Sequence, residues 1–141
     1  MTTPESPRLE DYPFRTTDKL RYGDTDKLGH VNNAVFATFL ETGRVDLLCD
    51  PARPVNDVGT AFVLARLVVD FRAEAHWPGS VDIGTRILST GRSSLTLQQA
   101  VFQNGVCIAS GETVLVQMDE ITRKSRPFSA EARALLERLP G

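Results

Sequence analysis

The sequence predicts an α+β fold in which one long helix packs on one face of an antiparallel sheet of about five strands. One strand pattern and one long helix pattern are followed by four further strand patterns. Asn104-Gly105 predicts a tight hairpin, because both residues tolerate the positive φ of a type I′ turn. A doubly wound parallel sheet is disfavoured, because it would require more helices.

The first third of the chain predicts an arm, a strand and the long helix. Residues 1–13 carry three prolines and scattered polar residues, which predict an irregular arm ahead of a single domain over 14–141. Residues 14–22 alternate with period two, as in a half-exposed strand. A helix is expected over about 33–48, capped by Asn32 or Asn33, because apolar residues recur there at helical spacing: Phe36, Phe39, Leu40, Gly43 and Leu47.

The rest of the chain predicts four strands and a short terminal helix. The longest strand carries an unbroken apolar face formed by Ala61, Val63, Ala65, Leu67, Val69, Phe71 and Ala73. The segment HWPGS, which contains His76, is expected to form a turn. Further strands are expected over 81–91, 93–103 and 106–119. Ser129 is the candidate cap of a helix over 129–139 whose apolar stripe is Leu135, Leu136 and Leu139.

Composition narrows the function classes. A chain of 141 residues with 41% hydrophobic content fits one domain. Its formal net charge of -2 favours neither nucleic acid nor an anionic membrane surface, so an anionic ligand would need local cations. The sequence shows neither a signal-peptide pattern nor an apolar stretch long enough to cross a bilayer, so a cytoplasmic location is expected. Cys49 and Cys107 are too few for a disulfide framework.

A polar cluster, GDTDKLGHVNN at residues 23–33, lies immediately before the predicted long helix. A helix N-terminus presents unpaired N–H groups that can polarise a carbonyl. Asp24 or Asp26 could supply a general base or a nucleophilic carboxylate beside it. Gly29 allows the backbone to approach a ligand, and three further side chains can orient a water molecule or a carboxylate: His30, Asn32 and Asn33.

Each residue of this cluster also has a structural interpretation. The aspartates could cap a turn, the asparagines could cap the helix, and the histidine could be structural. The combination favours a functional site, because no single capping requirement explains all of these residues together. Asp24, Asp26 and His30 could also ligate a metal ion, but their spacing matches no dedicated metal motif, so neither a metal nor a cofactor is expected.

The sequence resembles a known family. It is similar to acyl-CoA thioesterases of the hot-dog fold, in the 4-hydroxybenzoyl-CoA thioesterase-like branch. The similar segments are YGDTDKLGHVNNAVFATFLETGR, the strands from HWPGS to VLVQMD, and TRKSRPF. The HVNN element also resembles acyl-ACP thioesterases. The resemblance covers residues 14–136 and implies a sheet wrapped around a long helix, a short C-terminal helix, and active sites shared between subunits of a homodimer or homotetramer.

The resemblance also implies roles for individual residues. The family's catalytic carboxylate falls on Asp26, where it would activate water or attack the thioester directly. A backbone N–H at or near Asn33 would hold the thioester oxygen, and His30 would assist Asp26. Gly29 and Asn32 would contact the substrate. The aromatic-acyl branch often carries tyrosine where this chain has Asn33, and the acyl-ACP enzymes carry asparagine where it has Leu28. The resemblance therefore does not specify the acyl group.

Coenzyme A carries phosphates, which require local cations. Arg92 and Ser94, in TGRSS, are predicted to bind the substrate, together with the basic cluster Arg123, Lys124 and Arg126. The alternatives to acyl-CoA hydrolysis are an acyl-ACP thioesterase, a module that binds an acyl ligand without turnover, and a hydratase or dehydratase.

Overall fold

A computed structural model describes residues 6–141 of the chain. The elements are β1 (Phe14–Lys19), α1 (Val35–Leu48), β2 (Thr60–Phe71), β3 (Ser80–Thr90), β4 (Ser94–Gln103), β5 (Val106–Asp119) and α2 (Ala130–Arg138). The strands form one antiparallel sheet in the order β1-β3-β4-β5-β2, so β1 and β2 are its edges. The predicted α+β fold is confirmed.

Helix α1 packs on the sheet through the apolar positions that the sequence predicted. Phe36, Phe39, Leu40 and Leu47 are all buried. Gly43 allows the close approach, because a Cβ at that position would lie 2.7 Å from the Ile83 side chain on β3. The helix therefore sits directly on the middle strands, and its N-terminal end is held in place by the core.

The predicted apolar face of β2 is confirmed at Leu67, Val69 and Phe71 but is wrong before them, because a bulge at Ala65 changes the face; Ala73 lies beyond the end of the strand. Leu64 pairs with Leu115 and Arg66 with Val114, so Ala65 has no partner in the register. A bulge shifts the alternation by one residue. The side of β2 that faces α1 therefore carries Phe62, Leu64, Leu67, Val69 and Phe71, whereas Ala61 and Val63 lie on the opposite side.

The first strand is shorter than predicted. It ends at Lys19, and Tyr22–Asp24 form a 3₁₀ turn in which Tyr22 is 74% exposed. Residues 1–5 of the predicted arm lie outside the described residues. Within the remainder, Leu9–Asp11 form a 3₁₀ turn, and Tyr12 is buried beside Phe102 with ring centroids 6.3 Å apart.

The turn and cap predictions of the second half are confirmed. Asn104 and Gly105 have φ of 50° and 79°, so both adopt the left-handed conformation of the predicted hairpin turn. Ser129 Oγ accepts a hydrogen bond from the Ala132 N–H and caps α2. No helix within residues 6–141 has the length and apolar character to cross a membrane.

Candidate active site

The loop between β1 and α1 is organised around Asp26. Its Oδ1 accepts hydrogen bonds from the N–H groups of Leu28 at 2.9 Å and His30 at 3.2 Å. The Asp26 N–H donates to the His30 carbonyl at 2.8 Å. Gly29 has φ of +80°, which lets the loop close this tightly. Among the described residues, none donates to Asp26 Oδ2, so one carboxylate oxygen is open for chemistry.

The start of α1 leaves one backbone donor open. Asn32 Oδ1 accepts from the Ala34 N–H at 3.0 Å, which closes a turn ahead of the helix. The predicted cap at Asn32 or Asn33 is wrong, because the N-cap is Ala34 and no side chain caps the helix. The Val35 and Phe36 N–H groups donate to the carbonyls of Asn32 and Asn33. The helix begins at Val35, two residues later than predicted. Within the described chain, the Asn33 N–H has no hydrogen-bond acceptor.

The two residues that carry these open groups, Asp26 and Asn33, line one cavity. A cavity of about 390 Å³ is lined by Asp26, His30 and Asn33, by the apolar side chains Phe36 and Phe71, and by Glu74. The remaining lining residues are Leu28, Val31, Ala73 and Ala75. A carboxylate and a free backbone N–H in one partly apolar cavity can act on the two sides of a polarised carbonyl.

His30 contacts residues that follow β2, which sequence reasoning did not place in the site. His30 Nε2 lies 3.2 Å from Glu74 Oε2, and the same oxygen lies 3.8 Å from His76 Nε2. Val31 N–H donates to the Ala75 carbonyl, which joins the two segments. His76 was predicted only as a turn residue. No local sequence signal could have linked residues more than forty positions apart.

Asp24 has a structural role. Its carboxylate accepts from the Arg21 N–H and Nη2, both at 2.9 Å, and is almost fully buried. Burial opposes ionisation, but these hydrogen bonds outweigh it and hold the pKa of Asp24 below its ordinary value. The Asp24 carbonyl also accepts from the Asn32 N–H at 2.8 Å. The alternative metal set of Asp24, Asp26 and His30 is not assembled, because Arg21 holds the Asp24 carboxylate and the cluster of possible metal ligands among the described residues is instead His30, Glu74 and His76.

The structure places Arg92 and Ser94 at the other end of the sheet. Ser94 begins β4, and Gln103, which ends it, contacts His76. Ten strand residues span about 30 Å. The Arg92 carbonyl accepts from the Phe128 N–H, which brings Arg92 close to the basic segment Arg123–Arg126. In one subunit, the predicted phosphate-binding residues therefore lie far from Asp26.

Two further arginines near that end, Arg126 and Arg133, are held by other groups of the chain. Arg126 Nη1 lies 3.3 Å from Asp119 Oδ2, and Nη2 donates to the Val58 carbonyl. Arg133 Nη2 donates to the Gly91 carbonyl at 2.6 Å. We call this group, Arg92, Arg123, Lys124, Arg126 and Arg133, the basic end of the sheet, and the cavity around Asp26 the site end.

Comparison with known families identifies the superfamily of the chain. Residues 20–136 match the thioesterase-like superfamily. The chain belongs to the thioesterase-like superfamily. The acyl-CoA thioester hydrolase YbgC of Escherichia coli O6:H1 is 26% identical over 117 residues, which cover 80% of this chain and 87% of YbgC.

Solved structures agree with the superfamily assignment. A thioesterase from Thermus thermophilus in complex with coenzyme A and Zn is 32% identical, with a TM-score of 0.79 over 91% of this chain and 99% of that one. The PA5185 protein of Pseudomonas aeruginosa PAO1 is 25% identical, with a TM-score of 0.83 over 96% of both chains. The predicted hot-dog fold and the thioesterase enzyme class are confirmed.

Proposed function

We propose that the protein hydrolyses an acyl-CoA thioester to free CoA and a carboxylic acid, with Asp26 as the reacting carboxylate and the Asn33 N–H as the donor to the thioester oxygen. The observation that carries this proposal is that Asp26 and Asn33 line one cavity, while Asp26 Oδ2 and the Asn33 N–H have no hydrogen-bond partner among the described residues. The superfamily assignment supplies thioester hydrolysis as the reaction class.

The reaction needs a nucleophile and a stabilised oxyanion. Asp26 either removes a proton from the attacking water or adds to the thioester carbon itself. The carbonyl oxygen gains negative charge, which the Asn33 N–H and the N-terminal end of α1 stabilise. The carbon–sulfur bond then breaks and the CoA thiolate leaves. If Asp26 acts as a base, the thiolate takes the proton that Asp26 removed from water; if Asp26 adds to the carbon, water hydrolyses the resulting acyl anhydride, which frees the carboxylic acid, regenerates Asp26 and supplies the proton. His30, whose N–H donates to Asp26 Oδ1, fixes the orientation of the carboxylate.

The relatives support CoA as the carrier. YbgC is named an acyl-CoA thioester hydrolase, and the Thermus thermophilus thioesterase was solved with coenzyme A. The phosphates of CoA would pair with the basic end, where Arg92, Lys124 and Ser94 lie at the start of β4 and after β5. Gly29 and Asn32, in the loop of the site end, would contact the substrate near the thioester.

A second copy of the chain is needed to bring the two ends together. β2 is an edge strand that begins at the basic end, where Thr60 pairs with Asp119, and finishes at the site end, where Phe71 lines the cavity. Two β2 strands paired antiparallel about a two-fold axis would place the basic end of one subunit beside the site end of the other. We propose this homodimer, alone or within a tetramer, as the active unit.

The β2 edge carries features that favour association. Leu64 and Phe71 are 51% and 53% exposed on the side of β2 that faces α1, and Val45 of α1 is 50% exposed. Arg44 is buried beside them, burial lowers its pKa, and its Nη1 has no hydrogen-bond partner within residues 6–141. Exposed apolar residues, an open strand edge and an unsatisfied guanidinium are typical of a surface that a partner covers.

The Asp26→Asn variant tests the catalytic role. With a panel of aliphatic and aromatic acyl-CoAs and a thiol reagent, the wild-type protein should release free CoA. Asp26→Asn should lower kcat at least about 100-fold, because the amide can neither accept the proton of water nor form an acyl intermediate. Its melting temperature should stay close to that of the wild type, because the amide oxygen can still accept from Leu28 and His30.

Asp46→Asn is the matched control, since Asp46 is an exposed aspartate on α1 whose side chain makes no hydrogen bond to the described residues. Full turnover by Asp26→Asn would refute the role of Asp26. CoA-dependent thermal stabilisation without thiol release from any acyl-CoA would instead support a binding module. Release only from acyl carrier protein would identify the carrier as protein, not CoA.

A further inference from the structure

We infer that His30, Glu74 and His76 form a binding site for a divalent transition-metal ion, for which Zn²⁺ is the probe, at the rim of the site-end cavity. The two imidazole Nε2 atoms converge on one carboxylate oxygen, Glu74 Oε2, at 3.2 and 3.8 Å. One ligand atom from each residue lies within 4.8 Å of the other two. The inference does not depend on the proposed hydrolysis.

The spacing suits zinc. Zn²⁺ binds imidazole nitrogen and carboxylate oxygen with bonds of about 2.0–2.2 Å, so ligand atoms in a tetrahedral site lie about 3.3 Å apart. The two Nε2–Oε2 distances, 3.2 and 3.8 Å, bracket that value, and the third pair of ligand atoms lies within 4.8 Å. Three protein ligands leave a fourth position for water. Two imidazoles with one carboxylate is also a donor set that first-row transition metals prefer to Mg²⁺ or Ca²⁺.

Hydrogen bonding explains only one of the two histidine–glutamate contacts in this cluster. The 3.2 Å separation allows His30 to donate to Glu74, but 3.8 Å is too long for a hydrogen bond from His76. His76 nevertheless directs Nε2 at the same oxygen, and its ring stands at 78° to that of His30 with the centroids 5.1 Å apart. An ion between the three side chains would account for both imidazoles.

The backbone holds the two segments in place before any ion binds. His30 and His76 form an antiparallel bridge, and the Val31 N–H donates to the Ala75 carbonyl at 2.9 Å. Gln103 Oε1 accepts from the His76 N–H, and Gln103 Nε2 donates to the His76 carbonyl. The side chains of His30, Glu74 and His76 are 29%, 64% and 60% exposed, so an ion can enter from solvent.

The binding test uses untagged protein stripped of metal. Isothermal titration with ZnCl₂ should give one ion per chain, and MgCl₂ at the same concentration should give none. His76→Gln and Glu74→Gln should each weaken Zn²⁺ binding at least about tenfold, since even the outer partners of metal ligands contribute that much. Both variants should melt within a few degrees of the wild type without metal, because the altered side chains are exposed.

Two matched controls exclude other ligands. Cys49 is the exposed cysteine, and Glu120 is an exposed glutamate at the basic end. Cys49→Ser and Glu120→Gln should bind Zn²⁺ as the wild type does. Loss of binding in Cys49→Ser, or unchanged binding in both His76→Gln and Glu74→Gln, would overturn the inference.

A spectroscopic readout separates metal ligation from a hydrogen-bonded cluster. The chain contains two histidines, and both belong to this site. Nitrogen NMR of the imidazole rings should therefore show Nε2 of both residues shifting together on addition of one equivalent of Zn²⁺. Unperturbed Nε2 signals at saturating Zn²⁺ would show that the cluster is only a hydrogen-bonded surface group. This outcome would leave the hydrolysis proposal intact.

Discussion

The two ends of the sheet differ in charge and in how far their polar groups are already satisfied. At the site end, Asp26 Oδ2 and the Asn33 N–H have no partner within residues 6–141. At the basic end, Arg126 and Arg133 are held by Asp119 and the Gly91 carbonyl. The site end therefore leaves a carboxylate oxygen and a backbone donor without partners in the described chain, whereas the basic end combines a fixed scaffold with exposed cations at Arg92 and Lys124.

The distance between the two ends of the sheet explains why a site built from both ends would need two subunits. Each subunit separates its carboxylate from its cations by the length of β4, about 30 Å. In the proposed homodimer, antiparallel subunits would bring the site end of one beside the basic end of the other. Four predictions test this difference between the two ends, beginning with the interface.

The largest effect is expected from Leu64→Asp on the β2 edge. Leu64 is half-exposed on the proposed dimer surface. A carboxylate there would have to lose its hydration on association, so we expect a monomer. Turnover should fall about 100-fold or more, because no subunit then combines both ends. Light scattering and thiol release, measured at one protein concentration, check this prediction.

The matched control for this variant is Leu88→Asp. Leu88 is 49% exposed on β3, which pairs with β1 and β4 and lies away from the β2 edge. It should keep the wild-type mass and activity. A dimeric and fully active Leu64→Asp variant would show that the two ends are not joined across β2.

An intermediate effect is expected at the basic end. Arg92→Ala with Lys124→Ala should raise KM for acyl-CoA about tenfold with little change in kcat, since these cations would bind phosphate remote from the reacting bond. High salt should raise KM of the wild type more than that of the variant. Arg138→Ala, at the exposed end of α2, is the control, and an unchanged KM in the double variant would place the phosphates elsewhere.

Mixing subunits that carry complementary defects sharpens the comparison further. Asp26→Asn retains the basic end, and the double variant retains the site end. A mixed dimer would contain one site with both defects and one intact site, so an equal mixture should recover about a quarter of wild-type kcat/KM. The control is Asp26→Asn mixed with Leu64→Asp, which should recover almost nothing. Lack of recovery after verified subunit exchange would mean that each subunit uses its own basic end.

Much of the fold could be predicted because local chemistry determines it. The Asn104-Gly105 turn and the Ser129 cap define their elements, and β5 spans the predicted residues 106–119. The bulge at Ala65 could not be predicted, because alanine and apolar neighbours on both sides fit an unbroken strand equally well. The burial of Tyr12 depends on packing against Phe102, ninety residues away.

The site was predictable only where it is contiguous in sequence. Asp26, His30 and Asn33 lie in one loop, and the structure places them around one cavity. Glu74 and His76 were missed because a long-range pair, Val31 with Ala75, brings them to His30. The separation of Arg92 from Asp26 likewise follows from strand order, which composition and spacing do not specify.

The smallest effect is expected from Asp57→Asn, which should lower the stability of the basic end. The Asp57 carboxylate accepts from the Ser129 N–H and Oγ and from Gln117 Nε2. Partial burial opposes ionisation, but these hydrogen bonds outweigh it and hold the pKa of Asp57 below its ordinary value. Asp57→Asn should lower the free energy of unfolding by about 2 kcal/mol at pH 7, because hydrogen bonds to a charged acceptor are lost.

The pH dependence of this destabilisation distinguishes loss of the Asp57 charge from disruption of packing by the asparagine. Because the folded pKa is lowered, ionised Asp57 stabilises the fold above its unfolded pKa of about 3.9, and this contribution is lost as pH falls through the folded pKa. Urea unfolding at fixed protein concentration should therefore show the deficit of Asp57→Asn shrinking between pH 7 and pH 3. Asp46→Asn should show no deficit at either pH. A deficit equal at both pH values would mean that the asparagine disrupts packing, and that the charge of Asp57 does not hold the basic end together.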